Sequence, residues 1–238
     1  MKNLILEAIT KNGIFINDQL LDELEKNNLK KDFEGKKNYE LSRINEEGEI
    51  KNISKTLFDV LKKDYIHDFL VEYLGNDFKC SNILFTRTKP ELKKEDAQHI
   101  KEGNVLGFHN DDSGKQIKVN ILLSELSEKS NGLEYAASSH KIDKLDRYLI
   151  FFFRIFFLFK NWNKHFLNYQ KNKIKGQKVN FMSEKDIKKK FKIIKVFGKS
   201  GLVYIFDTNG FHRQGSVDYE YLIDSHRELI TVYFNSNK

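Results

Sequence analysis

Three positions in this chain carry the residue types that could do chemistry together. His109 and Asp111 stand two apart in the polar stretch Gly107-Phe108-His109-Asn110-Asp111, just ahead of the apolar run Gln116 to Ser124. In an extended segment, residues two apart point to the same side, so an imidazole and a carboxylate can be presented to one point. His212 follows a second apolar run, Gly201 to Phe206, far along the chain. Two imidazoles and one carboxylate can occupy one face of an octahedron and leave the opposite face open. Non-haem iron uses such a set when a co-substrate and dioxygen must both reach the metal. Asp112 is the rival carboxylate, although in an extended segment it faces the other way. A His-x-Asp pair in a polar loop is by itself more often a surface pair, so the weight falls on what surrounds it.

Strands must deliver these side chains. Asn82 to Arg87 reads as a strand stopped near Pro90. Gln116 to Ser124 (QIKVNILLS), Leu133 to Tyr135 after the turn signal Asn131-Gly132, Gly201 to Phe206 (GLVYIF) and Glu228 to Phe234 (ELITVYF) read as further strands. Their long, irregular connections lack a βα rhythm, which argues for an antiparallel barrel over a Rossmann sheet. Helices come first. Asp18 is expected to cap one that carries Leu20, Leu21 and Leu24. Residues 30–52 are expected to be a loop or a frayed helix. Ile53 to Leu74 is expected to form one helix opened near Ser54 and closed at Gly75. The predicted fold class is mainly β with N-terminal helices: a double-stranded β-helix (jelly roll, cupin-like). The chain is predicted to be a single domain over 1–238. Residues 1–78 form a helical buttress, 79–141 and 196–238 the jelly-roll strands, and 142–195 an inserted, basic and aromatic, lid-like segment.

The order of these motifs resembles the phytanoyl-CoA dioxygenase family. Gly13-Ile14-Phe15-Ile16 is similar to its opening strand, and Gly107-Phe108-His109-Asn110-Asp111 to its first metal motif. Ser130-Asn131-Gly132-Leu133-Glu134, followed by Ser138-Ser139-His140-Lys141, resembles the segment after its barrel strand. The stretch from Gly201 through Asp207-Thr208-Asn209-Gly210-Phe211-His212-Arg213 resembles its distal metal motif. The resemblance implies Fe(2+) held by His109, Asp111 and His212, 2-oxoglutarate as co-substrate, and O2 as oxidant. It implies that Arg227, fifteen residues after His212, binds the co-substrate. A guanidinium suits that task, because it grips a planar carboxylate bidentately. Arg213 and Arg87 are its rivals; Arg213 adjoins His212 and is expected to point away from the metal. Asn120 is expected to point into the barrel, towards co-substrate or substrate. The implied reaction is hydroxylation of an unactivated C–H bond. A small residue in place of Asp111 would leave room for a halide, so hydroxylation is favoured over halogenation.

The chain departs from the family at three places. Gln214 stands where a small residue is usual, the connection from His212 to Arg227 is long, and residues 142–199 match nothing in it. The other histidines read as structural or peripheral: His140 in a turn, His226 beside Arg227, and His67, His99 and His165 on surfaces or helices. Ser138 and Ser139 lack the nucleophile elbow of a hydrolase.

Charge narrows the partners. Between Lys141 and Lys199 stand 17 Lys or Arg against 4 Asp or Glu, a net +13, so the rest of the chain carries −6 of the total +7. A basic protein suggests nucleic acid, but one basic segment on a mildly acidic body argues against it. Within that segment, Tyr148 to Phe159 (YLIFFFRIFFLF) holds six Phe between 151 and 159. It is too short to span a bilayer, and Arg154 interrupts it. Two readings stay open. In one, the segment is a lid that takes a small-molecule or lipid-like, anionic substrate, with peripheral membrane contact through 148–160. In the other, the Phe-rich faces pack into the core or a homodimer interface. One cysteine, Cys80, excludes an internal disulfide and a thiolate zinc cage, and it fits a reducing cytoplasm. MKNLILEAITKNG does not read as a signal peptide, so a cytoplasmic protein, peripheral at a membrane at most, is expected. Aromatics at 13% argue against wholesale disorder. Two alternatives remain: a non-catalytic or sugar-binding jelly roll, and a cupin-like isomerase or epimerase without redox chemistry. Neither needs Arg227.

Overall fold

The later part of the chain passes back and forth between two sheets. The structure, a computed structural model, describes residues 1–34, 41–43, 54–88, 108–111, 115–129, 132–142, 184–214 and 227–236. Its strands are β1 (Ile14–Asn17), β2 (Leu41–Arg43), β3 (Lys79–Thr88), β4 (Gln116–Leu122), β5 (Leu133–Ala136), β6 (Ile193–Lys195), β7 (Val203–Asp207), β8 (His212–Gln214) and β9 (Arg227–Asn235). The larger sheet has the order β1-β7-β4-β9-β3-β2 and the smaller one β6-β5-β8. Every pairing among them is antiparallel. A bridge between His109 and His212 adds the His109 segment to the free side of β8. From β3 onward the chain visits the large sheet, the small sheet at His109, then large (β4), small (β5, β6), large (β7), small (β8) and large (β9). That alternation is the double-stranded β-helix, or jelly roll.

Register decides which side chains face inward. Ile117, Val119 and Ile121 of β4 pack with Ile205, Ile230 and Val232 into a core shared with the helices. Leu122, Tyr204, Phe206 and Leu229 turn the other way, into the space between the sheets, where they meet Tyr135 and Val196. Alternation then puts Lys118 and Asn120 on the inner face with Leu122. It likewise puts Arg227, Thr231 and Tyr233 inside with Leu229. A polar row therefore lines the barrel.

The helical layer comprises α1 (Lys2–Asn12), α2 (Glu23–Phe33), α3 (Lys55–Leu61) and α4 (Asp64–Leu74). Three expectations need correction. The cap of α2 is Asp22, not Asp18. Asp22 accepts from the Glu25 N–H at 2.8 Å, and Glu25 accepts from the Asp22 N–H at 3.0 Å. Leu21 stands three residues after Asp18, so the same reciprocal box cannot form there. Leu20 and Leu21 are buried in the lead-in, while Leu24 is exposed. The stretch 53–74 is two helices. Ser54 caps α3 through the Leu57 N–H, and the chain breaks at Lys62 and Lys63. There the Lys63 ammonium reaches the Leu20 carbonyl and Glu25. Finally, 30–52 contains β2, which pairs with β3.

Within 142–195, α5 (Glu184–Lys190) and β6 are described. β6 pairs with β5, so barrel strand begins again at Ile193. The run Tyr148–Phe159 lies outside the described residues.

Candidate metal centre

Backbone pairing brings the two histidines together. The N–H of His109 donates to the His212 carbonyl at 3.0 Å, and that of His212 donates to the His109 carbonyl at 2.8 Å. Their rings consequently lie side by side, with centroids 4.5 Å apart. Asp111 is held by its own N–H, which donates to the Thr208 carbonyl. Its Oδ1 lies 3.8 Å from His109 Nε2 and its Oδ2 lies 3.8 Å from His212 Nε2. One ligand atom from each residue falls within 4.8 Å of the other two.

The environment puts these groups in ligand form. His212 Nδ1 is 2.9 Å from the Gly210 carbonyl. A proton donated there leaves the Nε2 lone pair facing the cluster, the usual way a ligating imidazole is oriented. Burial pushes the His212 imidazole down to about 3; His109 and Lys118 add to the shift and Asp111 opposes it. The ring is thus neutral. Burial also pushes the Asp111 carboxyl up, but the Lys118 ammonium leads the opposing interactions that hold it below the usual carboxylate range. An anionic carboxylate and two imidazoles gathered on one side fit a divalent first-row metal.

Neighbouring turns support the cluster. Ser139, read from the sequence as part of the Ser138-Ser139-His140-Lys141 motif and as no nucleophile, accepts from the Phe211 N–H at 2.7 Å, next to His212. A Cβ on Gly210 would collide with the Tyr135 hydroxyl, which donates to the Asp207 carbonyl. Only glycine lets this turn pass beneath Tyr135. Ser138 and His140 dock on the end of α1, at the carbonyls of Lys11 and Thr10, in the structural turn expected for His140. His67 is exposed on α4. Asp112, His99, His165 and His226 lie outside the described residues.

The three arginines separate cleanly. Arg87 points to the outer face of the large sheet and pairs with Glu228 at 2.8 Å. Arg213 points to the outer face of the small sheet, between Glu134 and Glu184, both at 2.7 Å. Arg227 shares the inner face. Burial pushes the inward-facing Tyr204 phenol up to about 12, and the Arg227 guanidinium pulls against that shift. Asn120 is buried on the same face, where its Oδ1 accepts from Thr231 Oγ1 at 2.8 Å. Sequence reasoning missed Lys118, whose ammonium is 2.6 Å from Asp111 Oδ2. Its position two before Asn120 was the available signal.

No protein-family model and no curated protein matches the sequence. Solved structures share its fold. HygX from Streptomyces hygroscopicus, with nickel and 2-oxoglutarate bound, superposes with a TM-score of 0.58 at 13% identity, over 98% of this chain and 86% of that one. SnoN, a non-heme alpha ketoglutarate dependent epimerase from nogalamycin biosynthesis, gives 0.58 at 10% identity, over 98% and 83%. EctD from S. alaskensis, with 2-oxoglutarate and 5-hydroxyectoine, gives 0.54 at 12% identity, over 97% and 74%. At these identities the likeness establishes the jelly roll, and the chemistry must come from the residues of this chain.

Proposed function

We propose that this chain is an Fe(II)- and 2-oxoglutarate-dependent oxygenase, with the metal held by His109, Asp111 and His212 and the co-substrate anchored by Arg227. One observation carries the reading: the three ligands meet beside a barrel interior that also receives Arg227, while Arg87 and Arg213 are committed to ion pairs outside. HygX and EctD, which hold 2-oxoglutarate on the same fold, support it.

When bound, Fe(II) and 2-oxoglutarate supply the oxidising chemistry: dioxygen is consumed, the co-substrate is decarboxylated to succinate, and an unactivated C–H bond is oxidised. The chain's own residues bind and orient. His212 offers Nε2 because its Nδ1 is occupied by Gly210. Asp111 fills the third protein position, which leaves no protein-side vacancy for a halide and favours hydroxylation. Arg227 meets the distal carboxylate with a planar fork, and Asn120 borders the same space. The rings of Tyr204, Phe206 and Tyr233 exclude water from it. SnoN and SnoK, an epimerase and a carbocyclase, mark outcomes of the same class that product analysis would separate from hydroxylation. The order of motifs favours the phytanoyl-CoA dioxygenase family within that class. The reading extends to a small-molecule or lipid-like, anionic substrate met by the basic 142–195 segment, in a single-domain cytoplasmic enzyme.

Anaerobic addition of Fe(II) and then 2-oxoglutarate tests the reading. The parent protein is expected to develop a weak visible charge-transfer band, and His212→Ala and Asp111→Ala to lose Fe(II) affinity by more than about tenfold. A sugar-binding jelly roll or a redox-inactive isomerase gives no band. Unchanged Fe(II) affinity in both variants would refute the site.

A further inference from the structure

A fourth side chain closes on the three candidate ligands. Lys118 projects from the inner face of β4, and its Nζ lies 2.6 Å from Asp111 Oδ2, the oxygen that faces His212. The ammonium sits 4.9 Å from the Tyr233 ring centroid and 5.7 Å from that of Phe206, with 14% of the side chain exposed. This is an interior ion pair walled by aromatic rings. Charges in such a place are weakly screened.

The charges near the cluster then matter. Asp111 and Lys118 cancel one another. A divalent metal added to the three ligands leaves a net +2, and it must share Asp111 Oδ2 with an ammonium already in contact with that oxygen. Counting the metal, its three ligands and Lys118, a dianionic 2-oxoglutarate returns the sum to zero; its distal carboxylate is assigned to Arg227, and the other gives Lys118 a new partner. We infer that Lys118 couples the two binding events: it opposes the metal bound alone and favours the metal bound together with the dianionic co-substrate. The inference rests on the function proposed above. By linkage the effect is reciprocal, so the metal strengthens co-substrate binding by the same factor. A purely structural role for Lys118, bracing the Asp111 carboxylate, has the opposite sign: removing the lysine would loosen a ligand and weaken the metal.

Calorimetric titration with Mn(II), with and without 2-oxoglutarate, decides between them. Lys118→Met keeps the apolar stem without the charge, Lys118→Gln keeps a donor for Asp111, and Lys118→Arg keeps the charge. Both neutral variants are expected to bind Mn(II) alone at least about tenfold more tightly than the parent. Their enhancement by 2-oxoglutarate is expected to fall at least about tenfold, and Lys118→Arg to behave like the parent. Equal or weaker Mn(II) binding by the neutral variants overturns the coupling. If Lys118→Met fails to fold, Lys118→Gln carries the same comparison. His212→Ala separates this inference from the reading beneath it. If His212→Ala binds Mn(II) like the parent, the metal lies elsewhere, and the proposed site and the coupling fall together. If it loses Mn(II) while the neutral Lys118 variants match the parent, the site stands and only the coupling fails.

Discussion

At the scale of single residues, the direction of one side chain separates Arg227 from its two rivals. All three arginines carry the same charge, yet Arg87 and Arg213 point outward into carboxylates and Arg227 turns inward towards Tyr204. Arg227→Ala is therefore expected to raise the 2-oxoglutarate requirement about 30-fold or more, because a desolvated Arg–carboxylate contact contributes a few kcal/mol. Mn(II) affinity in the absence of co-substrate should stay near that of the parent. Arg227→Lys should recover only part of the loss, since an ammonium lacks the planar fork. Titration of succinate formation against 2-oxoglutarate measures all of this. An unchanged requirement would move the anchoring role from Arg227 to Lys118.

At the scale of elements, the short strand β8 uses both of its faces. His212 is turned to His109 and Asp111, and Arg213 is turned outward over the Phe108 ring at 4.7 Å. Arg213 binds Glu134 of β5 and Glu184 of α5 together, so one guanidinium joins two strands and a helix. Glu134 is buried, and it loses its counter-charge when Arg213 is removed. Arg213→Ala is expected to lower stability by about 3–5 kcal/mol, read as a shift of the denaturation midpoint. The double change Arg213→Met with Glu134→Leu should restore most of that loss, because a buried pair can be replaced by apolar packing. The 2-oxoglutarate requirement of the folded fraction should not move in either variant. A rise as large as that of Arg227→Ala would mean that Arg213 reaches the co-substrate after all.

At the scale of the whole molecule, charge and aromatic content are unevenly placed. The stretch from Lys141 to Lys199 carries +13 and the Phe-rich run, on a body of opposite sign. No helix among the described residues is long and apolar enough to cross a membrane. The proposed peripheral contact through 148–160 predicts co-flotation with liposomes rich in anionic lipid at low salt, lost as salt is raised. Replacing Phe152, Phe153, Phe156 and Phe157 by Ser should abolish it. No flotation at low salt would sink the membrane contact and leave packing into the core or a homodimer interface; sedimentation separates these two, since only the interface gives a dimer that the same four substitutions dissociate.

Much of the fold and of the candidate site was legible in the sequence, for a local reason. Period-two runs such as QIKVNILLS and ELITVYF commit to strands through their own alternation, and His109 and Asp111 converge because residues two apart share a face. The Asp22-Glu25 capping box is equally local, since its two members stand three residues apart. What the sequence did not disclose depends on partners distant in the chain. β2, β6 and β8 are three residues each, too short for any periodicity, and they exist only because β3 and β5 lie alongside them. The break at Lys62 and Lys63 answers to contacts with Leu20 and Glu25. Alternation could place Lys118 and Asn120 on one face, but only the packing of one sheet against the other made that face the interior. The sequence alone thus named the three candidate ligands and the three arginines. Tertiary structure alone decided which arginine faces inward and that an ammonium sits against the ligand carboxylate, because inside and outside are properties of sheet pairing and not of any local run of residues.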